Sequence, residues 1–187
     1  MILFIRLRIR IISINTNNRQ EALGRGNYGK ANVCRHAKVY DDAHVSSNAK
    51  VNGDVKVYGD AHVYGNAHIY GKASVCGDAK VYEYAKVYDD ANVSGNTEVY
   101  GNAEVNDNTE VFGNAQIYGD ARVFGKAYVS GNMKIYGKAH VFGSAWVFGN
   151  HCIYGNAQVT GNTEESENKT VLEYPKTTPF KVGNNHV

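Results

Sequence analysis

From Val33 to Val159 every sixth residue of the chain is Val or Ile, 22 times in succession, with no miss and no inserted residue. Stretches such as VYGDAHVYGNAHIYGKAS, which starts at Val57, repeat a unit that can be written V-Y-G-N-A-x, with positions one to six. A unit of six residues cannot enclose a core by itself. It can supply one strand and one corner to a coil whose apolar side is buried by its neighbours, so the period predicts an all-β solenoid of stacked parallel strands.

Each position carries its own chemistry. Position five is Ala in 16 of the 22 units, the exceptions being Val55, Thr97, Thr109, Met133, His151 and Thr163. Positions five and one are two residues apart, so on an extended segment they share the inner face, while six and two face outward. Position three is Gly in 16 units and position four is Asn or Asp in 16. These mark the corner, because Gly takes positive φ at no steric cost and Asn and Asp tolerate the left-handed conformation. Proline is absent until Pro175, as expected where neighbouring coils need every backbone N–H.

The number of units per coil follows from position two. Sorted by threes, one column reads Tyr64, Tyr82, Tyr100, Tyr118, Tyr136 and Tyr154, unbroken tyrosine at a spacing of 18, whereas the other two columns mix aromatic and small residues. A period of 18 on a period of six means three strands per coil and a triangular prism. With strands roughly 4.8 Å apart, about seven coils make a rod on the order of 35 Å long.

The V-Y-G-N/D-A-x unit resembles that of the hexapeptide-repeat proteins that fold as a left-handed parallel β-helix, and is most similar to the YdcK-type β-solenoid repeat, over residues 33–164. The left hand is implied by the resemblance alone, since crossover physics favours the right-handed connection.

The segments outside the array read differently. In MILFIRLRIRIISI, Arg6, Arg8 and Arg10 alternate with Ile5, Leu7, Ile9 and Ile11, a strand pattern whose charges interrupt the apolar run that a signal peptide or membrane span needs. Residues 1–32 are therefore expected to be a strand that covers the first coil, followed over 15–30 by a polar loop into a degenerate unit around Tyr28. The same arginines could instead anchor an amphipathic strand on anionic lipid. Residues 165–187 read as a capping tail that places Val171, Leu172, Tyr174 and Phe180 over the last coil. A net charge of +2 with alternating polar residues at position six is a solvated surface and not the footprint of a nucleic-acid binder. Cys34, Cys76 and Cys152 fall at outward positions too scattered to pair, which points to a reducing, cytoplasmic setting.

Several side chains invite a chemical role. The hexapeptide resemblance implies acyltransferases in which a corner His, commonly after Trp-Ile-Gly, is the general base. The nearest stretch here is Trp146-Val147-Phe148-Gly149-Asn150-His151, where Phe148 replaces Gly and Asn150 stands at the His position. His151 occupies inward position five, 18 residues after Met133, and reads as a packed interior His with a hydrogen-bonded ring. His36 is the His at corner position four, with no acidic partner evident to orient it. His44 and His62 lie side by side at position six, but the pattern supplies no third ligand, so no metal site is expected. Glu98, Glu104 and Glu110 occupy three successive outward positions and so face three sides.

Regularity weighs against catalysis. The array has no insertion to build a pocket, and flat sides offer little concavity. Ice binding would need a regular array of small hydroxyl residues, which the outward columns lack. The reading is a non-catalytic scaffold or interaction module without a cofactor, whose tyrosine column serves self-association or a protein or glycan ligand. The alternative is an acyltransferase-like trimer, with acyl-coenzyme A as donor and His151 or His36 as base.

Overall fold

The computed structural model describes residues 22–34, 36–160 and 171–174. These form parallel strands stacked into a β-solenoid of about seven turns, and no helix occurs among them. The strands fall into three ladders, each built from every third unit. Ladder one stacks Val39, Val57, Val75, Val93, Val111, Val129 and Val147. Ladder two stacks Val45, Val63, Val81, Val99, Ile117, Ile135 and Ile153. Ladder three runs from Val33 through Val51, Ile69, Val87, Val105, Val123 and Val141 to Val159. Every pairing along these three columns joins residues 18 apart, the period read from position two. The strand Lys38–Ser47 rounds a corner and belongs to ladders one and two at once.

The interior is the two inward columns. Every described Val, Ile and Ala at positions one and five is buried, with Val55 and Met133 among them. Thr97 and Thr109 fit the same dry interior because each hydroxyl donates to the carbonyl three residues back, Ser94 and Asn106, at 2.7 Å. Inter-coil bonds such as Lys80 N to Thr97 O (2.8 Å) and Tyr82 N to Val99 O (3.0 Å) recur along the rod.

At the corners the left-handed residue is position three alone. Gly101 has a φ of 71°, and a Cβ there would stand 2.8 Å from the backbone N of Gly119 in the next coil. Described residues other than Gly with positive φ, namely Asp41, Ser47, Glu83, Asp89 and Asp107, also sit at position three. The Asn and Asp of position four were expected to help through backbone tolerance, and here the structure corrects the sequence reading. Their work is lateral. Asn96, Asn114, Asn132 and Asn150 form a continuous amide chain, each Nδ2 donating to the Oδ1 one coil on, and Asn48 to Asn66 and Asn102 to Asp120 repeat the contact.

Two differences lie at the ends. A polar loop is expected over residues 15–30, yet Ala22–Gly29 is a strand parallel to Lys38–Ser47. The register pairs Asn27, Tyr28 and Gly29 with Val45, Ser46 and Ser47, so the degenerate unit around Tyr28 is in step. At the other end, Val171–Tyr174 pairs in parallel with Cys152–Gly155 and adds a strand to ladder two. The expected strand over residues 1–14, Thr163 and Phe180 lie outside the described residues. No helix among the described residues is long and apolar enough to cross a membrane.

Candidate functional site

The outward side of ladder two carries the tyrosine column. Strand pairing sets its spacing: Val81, Val99 and Ile117 stack in register, and the residue after each points outward onto the same strip. The rings of Tyr64, Tyr82, Tyr100, Tyr118 and Tyr136 stack at centroid separations of 4.9 Å with planes within 4° of parallel. Tyr136 and Tyr154 continue the stack at 5.3 Å and 9°. These separations fall inside the range in which aromatic pairs attract. Each ring is half-buried, with ring faces set against neighbours in the stack.

This environment favours the neutral phenol. Partial burial raises the pKa of Tyr64, Tyr82 and Tyr100 above the usual tyrosine value, and the Glu98 carboxylate beside them adds to the effect. Tyr118 is raised by burial and then by Tyr100 and Tyr136. On ladder three Tyr88 stacks on Tyr70 at 4.7 Å, and burial, with Glu104 next, pushes it up to about 12.

A second aromatic group occupies the later coils of ladder one and has a different geometry. Tyr128 meets Phe112 edge-to-face at 4.7 Å and Trp146 edge-to-face at 5.4 Å, and Trp146 is 51% exposed. Tyr128 and Trp146 stand at position six, so this group combines two outward columns. Phe112 and Tyr128 are 16 residues apart, as are Tyr88 and Glu104, whose hydroxyl and carboxylate lie 3.5 Å apart, and Phe124 and His140. Position two of one coil thus touches position six of the next along a diagonal. Reasoning by 18-residue columns misses these contacts, although the 16-residue spacing is visible in the chain.

The candidate bases are not brought together. His151 is 5% exposed, and among the described residues neither ring nitrogen finds the expected hydrogen-bond partner. Its column-mate Met133 and the surrounding Val, Ile and Ala carry no polar side-chain atom, and its backbone carbonyl is taken by Lys134 N at 2.9 Å. His36 lies at the opposite end of the rod, exposed at a corner of the first described coil. His44 and His62 are in register on ladder two with ring centroids 5.0 Å apart, as their spacing implies. Glu98, Glu104 and Glu110 fall on ladders two, three and one respectively.

Sequence reasoning also missed a set of carboxylate clamps. Where Asp41, Glu83 and Asp107 replace Gly at position three, each carboxylate accepts the backbone N–H of the Gly one coil on, Gly59 at 3.3 Å, Gly101 at 2.9 Å and Gly125 at 2.8 Å. The available signal was an acidic residue followed 18 residues later by Gly. Two surface grooves border these corners. One, of about 540 Å³, runs past Lys72, Asp89, Asp107 and Lys126, and the other, of about 550 Å³, runs past Tyr84, Glu104, Arg122 and His140. In the second, Glu104 is held by Lys86 at 2.9 Å and Arg122 at 3.7 Å, and neither groove takes in His151, His36 or the tyrosine stack.

The coil unit itself has a known counterpart. Residues 115–131 match the YdcK Beta solenoid repeat. That stretch contains one strand from each ladder, at Ile117, Val123 and Val129, together with Tyr118 of the stack, so the YdcK repeat corresponds to almost one coil of this rod. No curated protein matches the chain.

Proposed function

We propose that the chain is a non-catalytic scaffold or interaction module, a rigid rod whose tyrosine stack is its contact face. The observation that carries this reading is the unbroken run of five stacked pairs from Tyr64 to Tyr154. Stacking alone would be served equally by Phe, yet this column keeps the hydroxyl every time. Because the ring faces are covered, a partner meets ring edges and a row of protonated hydroxyls that both donate and accept. Such a strip suits self-association or a protein partner, and a glycan would be held by its hydroxyls rather than by stacking on open rings. It is also preorganised, so little side-chain entropy is lost when it binds.

On this reading the rod takes no acyl-coenzyme A donor, which is consistent with a His151 ring closed off from substrate and a His36 at the far end of the rod. It works in the cytoplasm, where Cys34, Cys76 and Cys152, which lie on three different ladders, stay free thiols. Replacing Tyr100 and Tyr118 by Ser should leave a folded rod by circular dichroism while weakening self-association or ligand contact. Unchanged sedimentation and glycan-array behaviour would reduce the column to a structural ladder. Saturable binding of acetyl-coenzyme A by calorimetry, lost in His151→Ala or His36→Ala, would overturn the scaffold reading in favour of an acyltransferase-like trimer.

A further inference from the structure

His44 and His62 stand directly opposite one another on adjacent strands of ladder two, locked by the in-register pairing and by His44 N donating to Ala61 O at 2.8 Å. Their rings are 5.0 Å apart and tilted by 32°, unlike the near-parallel tyrosines farther along the same ladder. Both side chains project from the same outward column of adjacent coils. A metal–nitrogen bond of roughly 2.0–2.1 Å requires two cis donors about 3 Å apart, which a rotation of these outward side chains can reach while the backbone stays in place. We propose that His44 and His62 form a two-imidazole chelate for a borderline transition-metal ion, with Cu²⁺, Ni²⁺ or Zn²⁺ as the fitting class.

Asp42 and Asp60 each precede a ligand by two residues, and an intervening inward Ala puts Asp and His on the same outer side. The His62 pKa is held below its usual value, first by burial and then by His44 and Lys80, with Asp60 and Asp78 acting the other way. The opposing charge is Lys80, next in the column, but its Nζ is turned along the rod to Glu98 at 3.4 Å. Among the described residues no group of three or more His, Cys, Asp or Glu is arranged around an ion. Nitrogen donors exclude the hard cations Ca²⁺ and Mg²⁺, which need a cage of oxygens.

The test titrates the full chain, made without a histidine tag, with Cu²⁺, Ni²⁺ and Zn²⁺ by calorimetry, and records the electron paramagnetic resonance spectrum of the Cu²⁺ form. One saturable site with two coupled nitrogens is expected, lost in His44→Gln and in His62→Gln and kept in His36→Gln. Metal should also raise the melting temperature of the parent chain, because it ties two coils together, and not that of His62→Gln. Ca²⁺ and Mg²⁺ should give no saturable heat. No saturable transition-metal binding by the parent chain, or binding that survives both substitutions, overturns the proposal. Circular dichroism confirms that each variant is folded, which is expected because both side chains lie outside the core.

Discussion

Two aromatic assemblies decorate the same rod and meet solvent in opposite ways. On ladder two, six identical rings repeat every 18 residues, so each finds a neighbour at 4.9–5.3 Å in parallel and its faces are used up by the stack. On ladder one the position-two column is broken by Ser130 between Phe112 and Phe148, which leaves no continuous stack to join. Tyr128 turns its contact to Phe112 and Trp146 edge-to-face instead, and half of Trp146 stays open to solvent. Spacing is common to both assemblies. Identity at every step converts it into a closed ladder with a hydroxyl edge, and one small residue converts it into a cluster with open ring area.

If the ladder is a product of the buried columns beneath it, damage to those columns should have the largest effect. Val99 lies fully buried under Tyr100, and Val99→Asp would strand a charge in a dry interior. A loss of more than about 4 kcal/mol is expected, so the chain should be unfolded by circular dichroism. Its outward neighbour Glu98 accepts from Lys80 and Gln116 on a half-exposed surface, so Glu98→Lys should change stability by no more than about 1 kcal/mol in urea titration. Equal effects from the two substitutions would mean that the coil is not held from inside.

The ladder should also respond to base. The raised phenol pKa values of Tyr64, Tyr82, Tyr100 and Tyr118 mean that the folded chain keeps protons which the unfolded chain releases from about pH 10 upward. That contribution to stability is complete below the unfolded value and is lost as pH climbs through the higher folded values. The urea midpoint should therefore fall across this alkaline window, and Tyr→Phe changes at Tyr82 and Tyr100 should flatten the fall. A midpoint that does not move in base would show that the ladder phenols are no more shielded than free tyrosine.

A smaller effect, of opposite sign, is expected at the end of the rod. His151 buries two ring nitrogens with no hydrogen-bond partner among the described residues. Met fills the equivalent place one coil earlier, at Met133, so His151→Met removes the unpaired polar atoms while roughly conserving volume. A gain of about 1–2 kcal/mol is expected in the urea titration. A loss would show that the ring has a polar partner that the interior does not otherwise supply.

The fold was legible because its determinants are single-position rules. Val or Ile at position one, Ala at position five and Gly at position three each act on their own residue, and their columns appear once the period is known. The missed features depend on pairs. Asn at position four points only to backbone tolerance when taken singly, and the role of Asn96 and Asn114 emerges only when two amides meet across a coil. The Glu83 clamp needs Gly101 one coil on, and the contact of Phe112 with Tyr128 joins two different positions at a spacing of 16. The tyrosine stack was legible for the same reason as the core, since it is a column of identical residues. The His151 environment was not, because the partners of an inward ring depend on the several columns around it and not on its own position.

The mildest perturbation separates the two assemblies most cleanly. Trp146 is the one Trp in the sequence, so intrinsic indole fluorescence reports on the ladder-one cluster and not on the tyrosine stack. At 51% exposure it should be quenched readily by acrylamide, and Tyr100→Ser should leave that quenching unchanged because the stack is on another ladder. Trp146→Ala removes one edge-to-face contact on the surface and should cost only about 0.5–1.5 kcal/mol, with the coil intact. A ring with open area can also stack on the apolar face of a sugar, which the covered rings of the ladder cannot do. If a glycan binds this rod by stacking, it should shift indole emission and lose affinity in Trp146→Ala while tolerating Tyr100→Ser. If it binds through the hydroxyl edge, the dependence reverses, and the tyrosine variant alone abolishes binding.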